Sequence, residues 1–299
     1  MKKSFKIIIV PILALILIVA SVLPAFAETL YTIDGYTYSV SDNISITLHD
    51  WDTSIDSNLV LPDGIANRYF TNIANWAFRD RKDITGLDFS NALHLKRIGY
   101  EAFSNCSEIS SDLIIPESVN QLNERSFSGC SSIPSIVING DLTSIPPECF
   151  YGCSSVKNLV LPDTLQSIGS WAFGGCDSLE YAEIPKSVTS IASSAFSNDP
   201  NLILRVYTDT AGHNYAVEKN MPYILLDGPK SGDVNGDGVV DILDATEIQK
   251  YAAESTDFTP EQFELGDINK DGYCDVIDAL LVQKSVIGAY EIPQNIIRY

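Results

Sequence analysis

Two acidic stretches of twelve residues, Asp233–Asp244 and Asp267–Asp278, hold the residues of this 299-residue chain best suited to chemistry. Asp233, Asn235, Asp237, Gly238, Asp241 and Asp244 match Asp267, Asn269, Asp271, Gly272, Asp275 and Asp278, 34 residues further on. Each stretch carries oxygen side chains at positions 1, 3, 5, 9 and 12, with glycine at 6. A set of hard oxygen donors suits a cation that takes about six to eight oxygens in a flexible shell. The chain must turn sharply for the first three side chains to converge, and glycine allows the turn because it tolerates a positive φ. Four carboxylates in one loop repel one another until something neutralises them, so cation binding and folding of this region are expected to be one event. A solvated Asp-Gly turn could use the same residue types, but it would not require a second copy in identical phase.

The spacing is that of an EF-hand calcium loop, in which position 7 gives a backbone carbonyl and position 9 acts through a water. Two Ca2+ ions are therefore expected, one held by Asp233, Asn235, Asp237, Val239, Asp241 and Asp244. The other falls to Asp267, Asn269, Asp271, Tyr273, Asp275 and Asp278. Gly228-Pro229-Lys230-Ser231-Gly232 breaks any helix before the first loop. Helical spacing follows each loop, with Ala245, Ile248 and Ala252 matched by Ala279, Val282 and Val286. Loop-then-helix, twice, with Asp at position 12, resembles the type I-like dockerin module of cellulosomal proteins over about Gly232–Ile292.

That resemblance implies a small all-α domain whose partner is a cohesin module on a scaffoldin. Positions 10 and 11 of each loop and 17 and 18 of the helix would read the partner. Here they are Ile242, Leu243, Gln249 and Lys250, then Val276, Ile277, Gln283 and Lys284. The two sets are so alike that docking in two orientations related by a half-turn is expected. The alternative is that Leu243 and Ile277 belong to the core. Val240 and Cys274, at position 8, are expected to pair across the loops as a short β-bridge, which makes Cys274 structural.

Residues 1–27 read as a secretory signal peptide: Lys2, Lys3 and Lys6, then the apolar run Ile7–Val22, then Ala25-Phe26-Ala27 before Glu28. An uncleaved anchor is the competing reading. The expected mature protein is exported, attached to the cell surface through a scaffoldin, and not stably inserted in a membrane. Its charge moves from −20 to −23 once those three lysines are removed. With no basic stripe to neutralise phosphates, nucleic acid is excluded as a partner.

Between these ends the chain is periodic. Phe78, Phe103, Phe127, Phe150, Phe173 and Phe196 recur at intervals of 25, 24, 23, 23 and 23 residues. A fuller pattern surrounds them, as in Leu159-Val160-Leu161-Pro162, then Leu165, Ile168-Gly169, Ala172-Phe173 and Gly175-Cys176. It resembles the BspA-like subclass of bacterial leucine-rich repeats over about Asn58–Leu226. The expected fold is a leucine-rich-repeat solenoid of short parallel strands with turns and short helical segments, followed by the duplicated calcium-loop-helix dockerin. One coil cannot bury its apolar side alone, whereas stacked coils share a continuous core. The inward column would be Leu59/Leu61, Leu87/Phe89, Leu113/Ile115, Ile136/Ile138, Leu159/Leu161 and Ala182/Ile184, with the phenylalanines as a second ladder behind. The expected organisation is an N-terminal β-hairpin cap at 28–57, about six repeats at 58–202 and a strand–helix–strand cap at 203–227. A linker at 228–232, the dockerin at 233–292 and a tail at 293–299 complete it.

Cys106, Cys130, Cys153 and Cys176 each lie three residues after a ladder phenylalanine. They are either reduced thiols in a buried polar slot or partners in bridges between neighbouring coils, which lie about 4.8 Å apart. Asp199 and, less directly, Asp80 beside Arg81 occupy this phase at the ends, which favours the polar slot.

The outward strand positions include Val60, Ile114, Val137 and Val160, possible contacts for an unknown protein or glycan ligand; plain β-propensity would also place aliphatics there. Trp76 and Trp171 share a phase, but Glu101, Arg125 and Glu148 separate them, so no continuous aromatic platform exists for a sugar chain. His49, His94 and His213 are isolated from any serine or cysteine elbow, and His94 and His213 read as surface residues near loops. The reading is a non-catalytic secreted component of a cellulosome-like assembly. A polysaccharide-degrading enzyme of glycoside hydrolase type, or an adhesin for a host, a substrate or a neighbouring cell, are its rivals.

Overall fold

The computed structural model describes residues 29–41, 44–54 and 56–293. The expected signal peptide at 1–27, and the tail from 294 onward, lie outside the described residues.

Each repeat begins with a three- or four-residue strand whose side chains alternate. In Leu113–Ile115 the outer two residues are buried and Ile114 is exposed, as a period of two requires. Leu113–Ile115, Ser135–Ile138 and Asn158–Val160 pair in parallel with Ile136 between Leu113 and Leu159. Asn58–Val60 pairs with Gly86–Asp88, and Tyr181–Glu183 leads through Ile203–Val206 to Tyr223–Leu225, all in parallel. Shorter strands such as Ser144–Ile145, Ser167–Ile168 and Ser190–Ile191 form a second ladder across the coil. The inward column forms the core, with Leu161 only partly buried.

The six phenylalanines stack at the back with ring centroids 4.9 to 5.7 Å apart and planes within 14° of parallel. Around them the chain runs in successive turns rather than as helix. Alternate N–H groups serve different coils. Ala102, Ser104 and Cys106 donate to carbonyls three residues back, while Glu101, Phe103 and Asn105 donate to Glu124, Ser126 and Ser128 of the next coil. No back-run donor in this coil is left without a partner, which is how a buried turn avoids the cost of an unpaired amide. This geometry places Trp76, Glu101, Arg125, Glu148 and Trp171, in one phase, at φ between 50° and 57°. The aligned side chains form an ion ladder in which Arg125 bonds Glu148 at 2.8 Å and approaches Glu101 to 3.5 Å, with Arg79 2.6 Å from Glu101.

The cysteine phase is a hydrogen-bonding slot. Cys106, Cys130, Cys153 and Cys176 are free, buried thiols that donate to the carbonyls of Phe78, Phe103, Phe127 and Phe150 at 2.9 to 3.6 Å. Burial holds the Cys106 thiol at a pKa of about 12 and pushes the other three well up. Cys149 is buried beside Ser126, and burial raises it as well.

At the N-terminal end β1 (Leu30–Ile33), β2 (Tyr36–Val40) and β3 (Ser45–Trp51) are antiparallel, and β3 joins Arg68–Ile73 in parallel. Asp34 and Gly35 both have positive φ in the β1–β2 turn, the requirement of a two-residue hairpin loop. Arg81 fills the phase that cysteine occupies elsewhere and ties the cap to the first coil, bonding Asp50 (2.5 Å), Asp83 (2.7 Å) and the Trp51 carbonyl (3.1 Å). His94 is more engaged than a free surface residue: its ring stacks on Tyr69 at 3.8 Å and meets Asp63 at 2.7 Å. At the other end α1 (Ala211–Lys219) covers the last coil, with Thr210 as N-cap and Asn220 in the left-handed region as C-cap. His213 lies within α1, its ring 3.3 Å from the Tyr223 hydroxyl.

The C-terminal region is built from α2 (Ile242–Ala252), α3 (Pro260–Gly266) and α4 (Val276–Val286). α2 and α4 pack together through Ala245, Ile248, Ala279 and Val282. The second loop is entered from a helix, α3, so the pattern is loop–helix then helix–loop–helix rather than two equal loop-helix units. Thr259 and Gln262 close a capping box at its start and Pro260 sits in the first turn.

Candidate calcium loops and docking face

In each loop the first and last carboxylates are buried and organise the turn. Asp233 accepts N–H bonds from Gly236 (2.8 Å), Asp237 (3.1 Å) and Gly238 (2.9 Å). Asp244 accepts from Val234 (3.0 Å), Asn235 (3.2 Å) and Asp241 (2.9 Å), so one side chain closes the loop and boxes the start of α2. The second loop repeats this. Asp267 accepts from Asp271 and Gly272, and Asp278 from Ile268, Asn269 and Asp275, all at 2.8 to 3.2 Å. Asn235 and Asn269 each accept from the residue two places on, while Asp241 and Asp275 cap their helices. Gly238 and Gly272 both have φ of 88° and open space where a Cβ would stand, so backbone conformation, not crowding, calls for glycine.

Among the described residues no lysine or arginine forms an ion pair with any of the eight loop aspartates. Lys230 and Lys270 bond backbone carbonyls instead. Burial, joined by the neighbouring Asp233 charge, raises the Asp244 carboxyl above its ordinary value. Among the described residues no three His, Cys, Asp or Glu side chains are gathered into a ready cage. The acids face backbone N–H groups. The donor set is nonetheless all hard oxygen, confined to one short loop in each half and uncompensated by protein cations, which fits a divalent cation. Val239 and Tyr273 are exposed in side chain.

Val240 and Cys274 do not form a β-bridge; no strand pairing joins them. Both pack into the helical core instead, where burial holds the Cys274 thiol at about 12. Ile242, Leu243, Val276 and Ile277 are exposed, because the buried side of each helix is set one residue later by Asp244/Ala245 and Asp278/Ala279. Leu243 and Ile277 are therefore not core residues. Gln249, Lys250 and Lys284 are exposed and Gln283 half-buried.

On the array, Ile114, Val137 and Val160 lie side by side across three strands, with Ile114 and Val160 exposed and Val137 half-buried. Val60 is half-buried and sits apart, its strand neighbour being Asp88.

Residues 71–203 match the BspA type leucine rich repeat region in six copies, and residues 231–287 match the dockerin type I domain. No catalytic domain is found. Among solved structures, a leucine rich repeat protein of T. pallidum is similar at 24% identity, over 60% of this chain and 85% of that one, with a TM-score of 0.52. A leucine rich cell surface protein of Faecalibacterium prausnitzii is similar at 24% identity, over 61% of this chain and 56% of that one, with a TM-score of 0.46. No curated protein matches. Type I dockerin domains bind calcium, and a dockerin domain implies a cohesin partner. No helix among the described residues is long and apolar enough to cross a membrane. The chain thus carries a BspA-type leucine-rich repeat region followed by a type I dockerin domain.

Proposed function

We propose that this protein is a secreted, non-catalytic component of a cellulosome-like assembly, attached to a scaffoldin by calcium-dependent docking of its C-terminal domain onto a cohesin. The observation that carries this reading is the juxtaposition of uncompensated acidic loops with the aliphatic pairs Ile242-Leu243 and Val276-Ile277. Each pair stands exposed at the start of a helix whose capping box the loop itself supplies. Two calcium ions would be held by the side chains of Asp233, Asn235, Asp237, Asp241 and Asp244 with the Val239 carbonyl, and by Asp267, Asn269, Asp271, Asp275 and Asp278 with the Tyr273 carbonyl. The cation's contribution is charge neutralisation. It allows the acids to stay together while the loops hold α2 and α4 at fixed spacing. Gln249, Lys250, Gln283 and Lys284 lie further along the same two helices and supply polar contacts.

The repeats present the strip Ile114, Val137 and Val160, with Val60 beyond it, to a protein or glycan brought close by the attachment. Titration of the full chain against a panel of type I cohesin modules tests the reading. Binding in calcium that is lost in excess chelator is expected, and absence of binding to every module in calcium would overturn it.

A further inference from the structure

The two dockerin halves match closely in sequence but do not present matching surfaces. Position by position, the exposed stripe of the first half is Leu243, Thr246, Lys250 and Ala253; that of the second is Ile277, Leu280, Lys284 and Ile287. These positions, spaced three and four residues apart, share one helix face.

Three differences favour the second stripe as the stickier one. Leu280 is 46% exposed and Ile287 77% exposed, where the first half has a threonine and an alanine. The Thr246 hydroxyl already spends its one proton on the Ile242 carbonyl at 2.8 Å, which leaves it only an acceptor for a partner. Lys250 is tied to Glu247 at 2.7 Å, while the equivalent of Glu247 in the second half is Leu281, which packs into the core. Among the described residues Lys284 accordingly has no acidic partner. A solvated pair of aliphatics this exposed gains by burial against an apolar partner surface, and Lys284, unlike Lys250, has no ion pair to break before it meets a carboxylate.

We infer that the cohesin is gripped mainly through α4, with Leu280 and Ile287 as specificity-determining contacts, so that one of the two possible docking orientations dominates. The partner surface this fits is an apolar strip flanked by an acidic group. The inference rests on the cohesin-docking reading above and narrows it.

The test uses the full chain in calcium and a type I cohesin module chosen because it binds the wild-type chain. Ile277→Asp and the double variant Leu280→Thr/Ile287→Ala should each weaken binding by about tenfold or more, with Leu243→Asp weakening it by about threefold or less. Because these side chains are exposed, calcium-dependent helicity by circular dichroism should match wild type in all three. Placing Thr246→Leu and Ala253→Ile in the Ile277→Asp background should restore binding, which separates lost contact from lost folding. Equal losses from Leu243→Asp and Ile277→Asp would overturn the inference while leaving cohesin docking intact. Failure of the wild-type chain to bind any module would overturn the docking reading and this inference with it.

Discussion

The backbone N–H of Phe196 donates to the hydroxyl oxygen of Tyr215 at 3.4 Å, and so ends the hydrogen-bonded ladder on a side chain of the covering helix. In earlier coils the equivalent donors find carbonyls of the next coil: Phe127 bonds Cys149, Phe150 bonds Ala172 and Phe173 bonds Ala195, each at 2.9 Å. Tyr215→Phe leaves that buried donor unpaired and should lower stability by about 1 kcal/mol. Urea unfolding of the two proteins measures it. Equal midpoints and slopes would mean that α1 closes the array by packing alone.

Asp199 occupies the cysteine phase in the last coil, where its carboxylate accepts the Cys176 N–H at 2.7 Å. Burial pushes its pKa up to about 7 from an ordinary 3.8, helped by the nearby Asp177. Between those values the folded chain holds a proton that the unfolded chain has released. The group's contribution to stability is therefore complete below about pH 4 and is lost as the pH rises through 7. The size is on the order of a few kcal/mol. Asp199→Asn should flatten the pH dependence of the unfolding midpoint across this window relative to wild type. An unchanged difference between pH 4.5 and pH 7.5, approximate bounds of the window, would show that the carboxyl titrates normally.

Buried thiols at raised pKa resist alkylation, because the thiolate is the reactive form. A maleimide or iodoacetamide should label none of Cys106, Cys130, Cys149, Cys153, Cys176 and Cys274 in the native protein, and all six in denaturant without reductant. Mass spectrometry of the labelled chain reads the count. Pairs that stay unlabelled until reductant is added would establish bridges between coils.

The acidic loops predict a metal-linked stability. Calcium should raise the melting temperature of the dockerin, by mass action on the folded state. Asp233→Asn combined with Asp267→Asn keeps one acceptor oxygen for each N–H cluster but removes two charges. It should weaken calcium uptake by about tenfold or more, on the argument that affinity follows ligand charge. Calorimetric titration of both proteins decides it. Undiminished uptake by the variant would remove these aspartates from the ligand set.

Much of this architecture could be read from spacing alone. The phenylalanine interval marks the coils because an aromatic ladder needs one ring per coil at one depth. Leu113-Ile114-Ile115 is aliphatic throughout, and it is the phase shared with Asp88 and Glu183 of other coils that marks Ile114 as the outward residue. The two acidic loops were legible for the same reason, since the same residue types recur at the same spacing 34 residues apart. Short helix α3 was missed although Thr259-Pro260-Glu261-Gln262 spells a capping box, because seven residues give too little periodicity to register. The Tyr69–His94 stack joins residues about one coil apart, and nothing local in either segment announces the other, whereas Arg125 and Glu148 share a phase and only their bonding was not read. The inequality of the two exposed stripes hides behind identical Gln-Lys pairs. It comes from what Glu247 and Leu281 do with their neighbours.

The alternating bonds of the back run give the array a direction. Every inter-coil N–H there points toward the C-terminus, while those beside the strands, such as Gly169 to Ile145, point the other way, so the two ends of the stack place their donors and acceptors differently. Along the back run two identical ends would set like groups against each other, whereas an opposite pair would match. Growth by duplication can add or delete whole coils at little cost to this polarity, but the terminal pieces must remain chemically unlike each other, one offering oxygen to the donors and the other blocking the acceptors.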